Sequence, residues 1–290
     1  MPELPEVETV CQALRGATCG ETIRSVWTSG KTMRWPIPID LKEQINGAMI
    51  TGIRRRGKYV LMDIEAKEKP SLTMLIHLGM SGSVRIKALS EGEEINAEGN
   101  KAHDHLVLIT DCDASGKTGH HVVLNDPRRF GGIAICRRGD EIHHPLLRSM
   151  GIEPLGNAMS GPFLLDAMTG KKTSIKAALL DQRIIAGIGN IYASEALFRA
   201  GISPRRQARN IGPERAEKLA HAIIAVLKDA IADGGTSLRD HVQPGGEIGY
   251  FVQRLDVYGR DGQTCHRCAS AVRMIRQSGR ASFYCPSCQR

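Results

Sequence analysis

Aromatic side chains are scarce in this chain: two Trp, five Tyr and five Phe, 4% of 290 residues. A core built on stacked rings is therefore excluded, and an aliphatic one is expected. No apolar run reaches membrane-spanning length, and the acidic N-terminus lacks the apolar stretch of a secretory leader. A cytoplasmic protein is expected, and in a reducing compartment disulfides are a poor account of eight cysteines. Internal repeats are missing as well. Acidic residues are absent from Gly262 to Arg290, a stretch that holds Arg267, Arg273, Arg276, Arg280 and Arg290. Over the whole chain 39 Lys and Arg outnumber 31 Asp and Glu, leaving a net charge of +8. Such a field favours a polyanionic partner, nucleic acid or an acidic membrane face. The length suits about two domains.

The chain opens MPELPEVETV. Val7, Val10, Cys11 and Leu14 fall at i, i+3, i+4 and i+7, which lays one apolar stripe on a helix. Pro5 suits its first turn, and Glu6 and Glu8 suit its positive end. Removal of Met1 would leave Pro2 as a free secondary amine beside Glu3, so the start is either a helix start or a nucleophile with an adjacent acid. From about 22 to 136, seven short β-branched stretches follow one another: TIRSVWT, AMITGI, KYVLMDIE, SLTMLIHLGMSGSVRI, HLVLIT, HVVLND and GGIAICR. With no helical pattern between them they predict a sandwich or barrel. Residues 90–102 and 111–120 read as polar surface loops. After HHPLL at 143–147 the pattern turns helical, over 161–169, 173–182, 190–200 and 213–232. The last carries Ala216, Leu219, Ala220, Ile223, Ile224 and Leu227 at helical spacing.

Cys265, Cys268, Cys285 and Cys288 form a C-x2-C-x16-C-x2-C pattern. Two such turns complete a tetrahedral zinc site, and four thiolates leave no open position, so the metal expected is one structural Zn2+. Cys11, Cys19, Cys112 and Cys136 are scattered and read as ordinary thiols. A rigid hairpin carrying arginines suits phosphate or groove contact. NDPRRFGG at 125–132 follows a strand and places two arginines and Phe130 at a turn. Guanidinium and ring could wedge where a base has left the stack, or the ring could fold into the core. In GIGNIYASEALF, 187–198, a Gly-rich turn feeds a helix with Asn190 as the expected N-cap, presenting N–H groups to a phosphate.

Taken in order, PELPEVETV, RRRGKY at 54–59, HLGMSG at 77–82, KAHDH at 101–105, NDPRRFGG, GIGNIYASEALF and the four-Cys tail resemble the bacterial formamidopyrimidine-DNA glycosylases. The likeness runs end to end. It implies an N-terminal β-sandwich with an opening helix (1–140), a helix-two-turn-helix domain with a lesion loop (141–254) and a zinc finger (255–290). It also implies a bifunctional glycosylase and abasic-site lyase of base excision repair, a monomer acting on double-stranded DNA with oxidised purines or abasic sites. Leu4 in PELPE favours that purine branch over relatives of endonuclease VIII, which start PEGPE and prefer oxidised pyrimidines.

By the same resemblance Pro2 forms the Schiff base with the sugar and Glu3 is the acid beside it. Lys58 assists β-elimination, and Arg280 of the finger serves δ-elimination. His103, Arg128 and Lys171 contact DNA, while Lys176 and Asn190 contact phosphates. Met80, Arg128 and Phe130 fill the gap left by the everted base, and 234–250 is the lesion-covering loop. From the residues alone Lys58 reads as a solvated hairpin lysine and His105 as structural. The competing class is a non-catalytic DNA-binding module using the same basic groove and finger.

Overall fold

The computed structural model describes residues 2–89, 99, 102–111, 119–236 and 251–290. The expected loops at 90–102 and 111–120, and the expected lesion loop beyond Thr236, lie mostly outside the described residues. The chain divides into two compact units, one running to Arg148 and including the segment from Gly234, the other made of Ser149–Asp233 and Phe251–Arg290. Among the described residues no helix is long and apolar enough to cross a membrane.

The first unit opens with helix α1 (Leu4–Thr18), which buries Val7, Val10, Cys11 and Leu14 as the spacing predicts. Strands β1 (Thr22–Thr28), β2 (Met49–Arg56), β3 (Tyr59–Glu65), β4 (Leu72–His77), β5 (Ser83–Ala88), β6 (Asp104–Asp111), β7 (His120–Asn125) and β8 (Gly132–Arg137) follow, with a short helix α2 (Leu41–Ile45). They form one sheet in the order β5-β7-β6-β1-β2-β3-β4-β8. Every pairing is antiparallel, and β1 meets β2 only at Thr22 and Met49. Two four-stranded halves therefore fold face to face about one aliphatic core, as a sandwich. Ile23, Leu106, Leu108 and Leu124 from one half meet Ile50, Val60, Met62 and Ile76 from the other, with α1 packed in.

Strand β6 shows why HLVLIT reads as a nearly continuous apolar run. Leu106 and Leu108 enter that core, while Val107 and Ile109 point the other way onto Val123 and Trp27. SLTMLIHLGMSGSVRI, read as one β stretch, is two strands with a turn between them. Gly79 takes φ +64°, and a Cβ on Gly82 would meet the Leu78 carbonyl oxygen at 2.2 Å. Both glycines therefore end the strand.

The second unit holds helices α3 (Gly161–Met168), α4 (Ile175–Leu179), α5 (Asn190–Arg199) and α6 (Pro213–Ala232), then the hairpin β9 (Arg273–Gln277) and β10 (Arg280–Tyr284). Serines cap two starts: Ser160 Oγ accepts the Phe163 N–H and Ser174 Oγ the Ala177 N–H, each at 3.2 Å. α6 starts on Pro213 and buries Ala216, Leu219, Ala220, Ile223, Val226 and Leu227, with Val226 rather than Ile224 facing inward. Gly161 of α3 lets the two helices approach closely: a Cβ there would sit 2.9 Å from the Glu217 Cα. Truncating Leu219 to Ala would cost about 2–5 kcal/mol.

Candidate active site

Helix α1 carries the first candidates. It lies along β2, where Arg55 Nε donates to Glu8 at 2.9 Å, Cys11 faces the Arg54 carbonyl, and Arg15 donates to the Ile53 carbonyl. Helix positions thus fall as strand positions rise, so the start of α1 points toward the Gly57–Lys58 turn joining β2 to β3. Pro2 is buried there and Glu3, the N-cap, is 2% exposed. Glu3 and Glu6 form a reciprocal capping box, with the Glu3 N–H donating to Glu6 Oε2 at 2.8 Å. Glu6 Oε1 accepts the Thr236 N–H and hydroxyl at 2.8 and 2.7 Å. One carboxylate therefore ties the chain's start to the root of the 234–250 segment. The sequence reading assigned Glu6 only a dipole role.

Lys58 is 8% exposed, so the solvated hairpin lysine is not what folds. Beside it, burial and then the Arg34 and Lys58 charges push the His77 imidazole down to about 4. It is neutral near pH 7, rests against Tyr59 at 4.8 Å between centroids, and accepts the Gly79 N–H on Nδ1 at 3.1 Å. His77 was visible in HLGMSG, but nothing local marked it as part of a basic cluster with Arg34 and Lys58.

Met80 and Phe130 stand out at the ends of their turns, 37% and 45% exposed. Phe130 does not fold into the core. The Arg128 guanidinium lies 4.7 Å from the centre of its ring. Arg129 takes φ +54°, an uncommon choice for a non-glycine residue that costs roughly 1 kcal/mol or more. His103 is exposed on the turn before β6.

The remaining candidates belong to the second unit. The four cysteine Sγ atoms lie within 4.8 Å of one another, with Cys265–Cys288 at 3.9 Å and Cys268–Cys285 at 3.4 Å. Tetrahedral zinc with bonds of about 2.3 Å would hold sulfurs about 3.8 Å apart, so the cluster fits one structural zinc ion. Cys265 and Cys285 pack with Phe198, Val257 and Val272, and Arg267 lies 4.3 Å over the Phe198 ring. Arg280 is exposed beyond the tight turn Ser278–Gly279, both at positive φ.

One expectation changes here. Asn190 is the first residue of α5, with Gly189 as the cap, and its Nδ2 donates to the Ala281 carbonyl at 2.9 Å. Lys176 is only 1% exposed, and its Nζ donates to the same Ala281 carbonyl at 2.8 Å and to Ser282 Oγ at 3.0 Å. Its ammonium braces the finger strand beside Arg280. Lys171 remains half-buried before α4. A cavity of about 260 Å³ opens between Lys176, Asp181, Gln277 and Arg280. Sequence reasoning also missed Glu195. This residue is fully buried, and burial pushes its pKa up against the pull of the Asp256, Val257 and Tyr258 N–H groups it accepts at 2.8–3.0 Å. An acid among the apolar positions of YASEALF was the available signal.

A sheet unit with a buried N-terminal Pro-Glu pair, and a helical unit ending in a four-thiolate hairpin, define a class of three-part proteins with a helix-two-turn-helix centre. Family models agree: residues 1–133 match the formamidopyrimidine-DNA glycosylase N-terminal domain, 150–242 its H2TH domain, and 262–290 a zinc finger found in FPG and IleRS. A formamidopyrimidine-DNA glycosylase from Ruegeria sp. is 45% identical, with both chains covered in full. The MutM (FPG) protein of Thermus thermophilus superposes with a TM-score of 0.82 at 37% identity, covering 99% of this chain and 98% of that one. A point mutant of the Lactococcus lactis FPG, solved in complex with Fapy-dG-containing DNA, gives 0.85 at 29% identity with both chains fully covered. The chain belongs to the formamidopyrimidine-DNA glycosylase family.

Proposed function

We propose that this protein is a bifunctional DNA glycosylase and abasic-site lyase of base excision repair that excises oxidised purines. The observation that carries the reading is the buried Pro2–Glu3 pair, whose helix points toward the buried Lys58 turn. The damaged nucleotide must leave the stack to be reached. Once Met1 is removed, the free Pro2 amine attacks C1′, the base departs, and an iminium links protein and sugar. An α-amino group has an ordinary pKa near 8, so a useful fraction is neutral where an ordinary lysine is almost wholly protonated. Glu3 gives a proton to the ring oxygen as the sugar opens. The iminium acidifies C2′–H, Lys58 assists loss of the 3′-phosphate, and a second elimination served by Arg280 expels the 5′-phosphate. A one-nucleotide gap remains.

On this reading His103, Arg128, Lys171 and Asn190 meet the DNA, with Met80, Arg128 and Phe130 in the vacated space. The working parts are a catalytic domain at 1–140, a DNA-binding domain at 141–254 and the finger at 255–290. The protein acts as a monomer in the cytoplasm.

Borohydride should trap a covalent adduct with an oxidised-guanine duplex. A residue added ahead of Pro2 should abolish the adduct, slowing cleavage by about 10³-fold or more, while binding to an abasic-site analogue persists. Full cleavage with a blocked N-terminus removes Pro2 from the mechanism, and binding with no adduct from the free N-terminus points to a binding module instead. Parallel duplexes carrying oxidised purines and pyrimidines assign the substrate branch.

A further inference from the structure

Asp126, fully buried in the Asn-Asp-Pro turn, is filled from two loops at once. Its Oδ1 accepts the Ser81 hydroxyl at 2.7 Å and, more weakly, the Arg128 N–H at 3.3 Å, while Oδ2 accepts the Gly131 N–H at 2.8 Å. Its backbone is held too, by the N–H donated to the His103 carbonyl at 2.9 Å. The Asp126 carbonyl lies 3.0 Å from His105 Nε2. A carbonyl only accepts, so His105 donates from Nε2, and its Nδ1 lies 3.0 Å from the Ser29 hydroxyl.

Ser81 directly follows Met80, and Arg128 and Gly131 bracket Phe130. The two turns also touch without room for a side chain. A Cβ on Gly79 would sit 2.3 Å from the Gly131 nitrogen, and one on Gly131 would sit 2.4 Å from the His77 carbonyl oxygen. Two exposed apolar side chains thus rest on a base held together by inward-facing hydrogen bonds. An element that enters a base stack pays less ordering entropy if it is rigid beforehand.

We propose that Asp126 and Ser81 are positioning residues that lock the Met80 turn to the Arg128–Phe130 turn, so that all three side chains enter the vacated base position as one preformed wedge. This deepens the glycosylase reading and rests on it. The step it controls is gap filling in a duplex, not the covalent chemistry.

The test compares Ser81→Ala, Ser81→Thr and Asp126→Asn on two substrates: an oxidised-guanine duplex, and single-stranded DNA with an abasic site, where no stack is to be filled. Ser81→Ala should slow single-turnover excision from the duplex by about 10-fold and blunt the fluorescence change of 2-aminopurine opposite the lesion. Its borohydride adduct on the single strand should form within about twofold of the wild-type rate. Ser81→Thr should restore the duplex rate. In a Phe130→Ala background Ser81→Ala should add almost nothing. Equal slowing on both substrates, full additivity with Phe130→Ala, or no effect of Ser81→Ala overturns the lock. Should Asp126→Asn fail to fold, the Ser81 variants still decide. No adduct from the wild-type protein sinks the glycosylase reading instead, leaving the two failures distinguishable.

Discussion

The sheet unit and the zinc-binding hairpin hold their turns in place by different means. In the sheet unit, loops are gathered by buried carboxylates that accept hydrogen bonds from distant chain: Glu6 from Thr236, Asp126 from Ser81, Glu141 from Thr73. A large aliphatic core surrounds them and excludes the water that would compete. The finger has no such core. Phe198, Val257 and Val272 pack against its cysteines, and four thiolates replace what apolar burial cannot supply. Yet both units present an arginine on a short turn with positive φ, Arg128 before Arg129 and Arg280 after Ser278–Gly279. Rigid presentation of a cation is common to both, and the means of rigidity follows from how much core lies beneath.

The sharpest way to break this comparison is to remove the metal. Binding of a structural zinc contributes on the order of 10 kcal/mol to a finger, so chelation or Cys285→Ala should expose the hairpin amides between Arg273 and Tyr284 to rapid hydrogen exchange. Amides still protected after complete zinc loss would show that the apolar packing suffices alone.

A smaller effect is expected at Lys176. Replacing it by Met removes one of the two donors on the Ala281 carbonyl and the donor on Ser282 Oγ while keeping most of the side-chain volume, and should cost roughly 1–3 kcal/mol in thermal or denaturant unfolding. Because the ammonium is buried inward, the slope of log affinity against log salt should not change. Lys171→Ala should flatten that slope by about 0.9. A flattened slope for Lys176→Met would return Lys176 to the phosphate contacts.

The smallest effect concerns Glu141. Burial alone would raise its carboxyl, but the Thr73 hydroxyl, the backbone N–H groups at 139 and 141, and the Arg54 guanidinium outweigh that and hold it at about 2. With the folded pKa below the usual value of 4.5, its stabilisation is complete above 4.5 and disappears as pH falls through about 2. Allowing for solvent around the half-exposed Arg54, about 1–2 kcal/mol is at stake. Glu141→Gln should flatten the pH dependence of unfolding over that window, and an unchanged curve would remove carboxylate pairing from the account of this unit.

Local pattern alone located α6 over 213–232, the β-branched strands from about 22 to 136 and the four metal-binding cysteines, because each rests on composition or spacing within one short stretch. The same reasoning left Phe130 undecided between core and tip and made Lys58 a solvated residue. Tertiary structure decided those two, and it alone gave Glu6, Asp126 and Glu195 their partners. Ser81 and Asp126 are 45 positions apart, and Glu6 and Thr236 are 230 apart. A buried carboxylate must find its donors wherever the folded chain brings them, and no periodicity along the sequence records that distance.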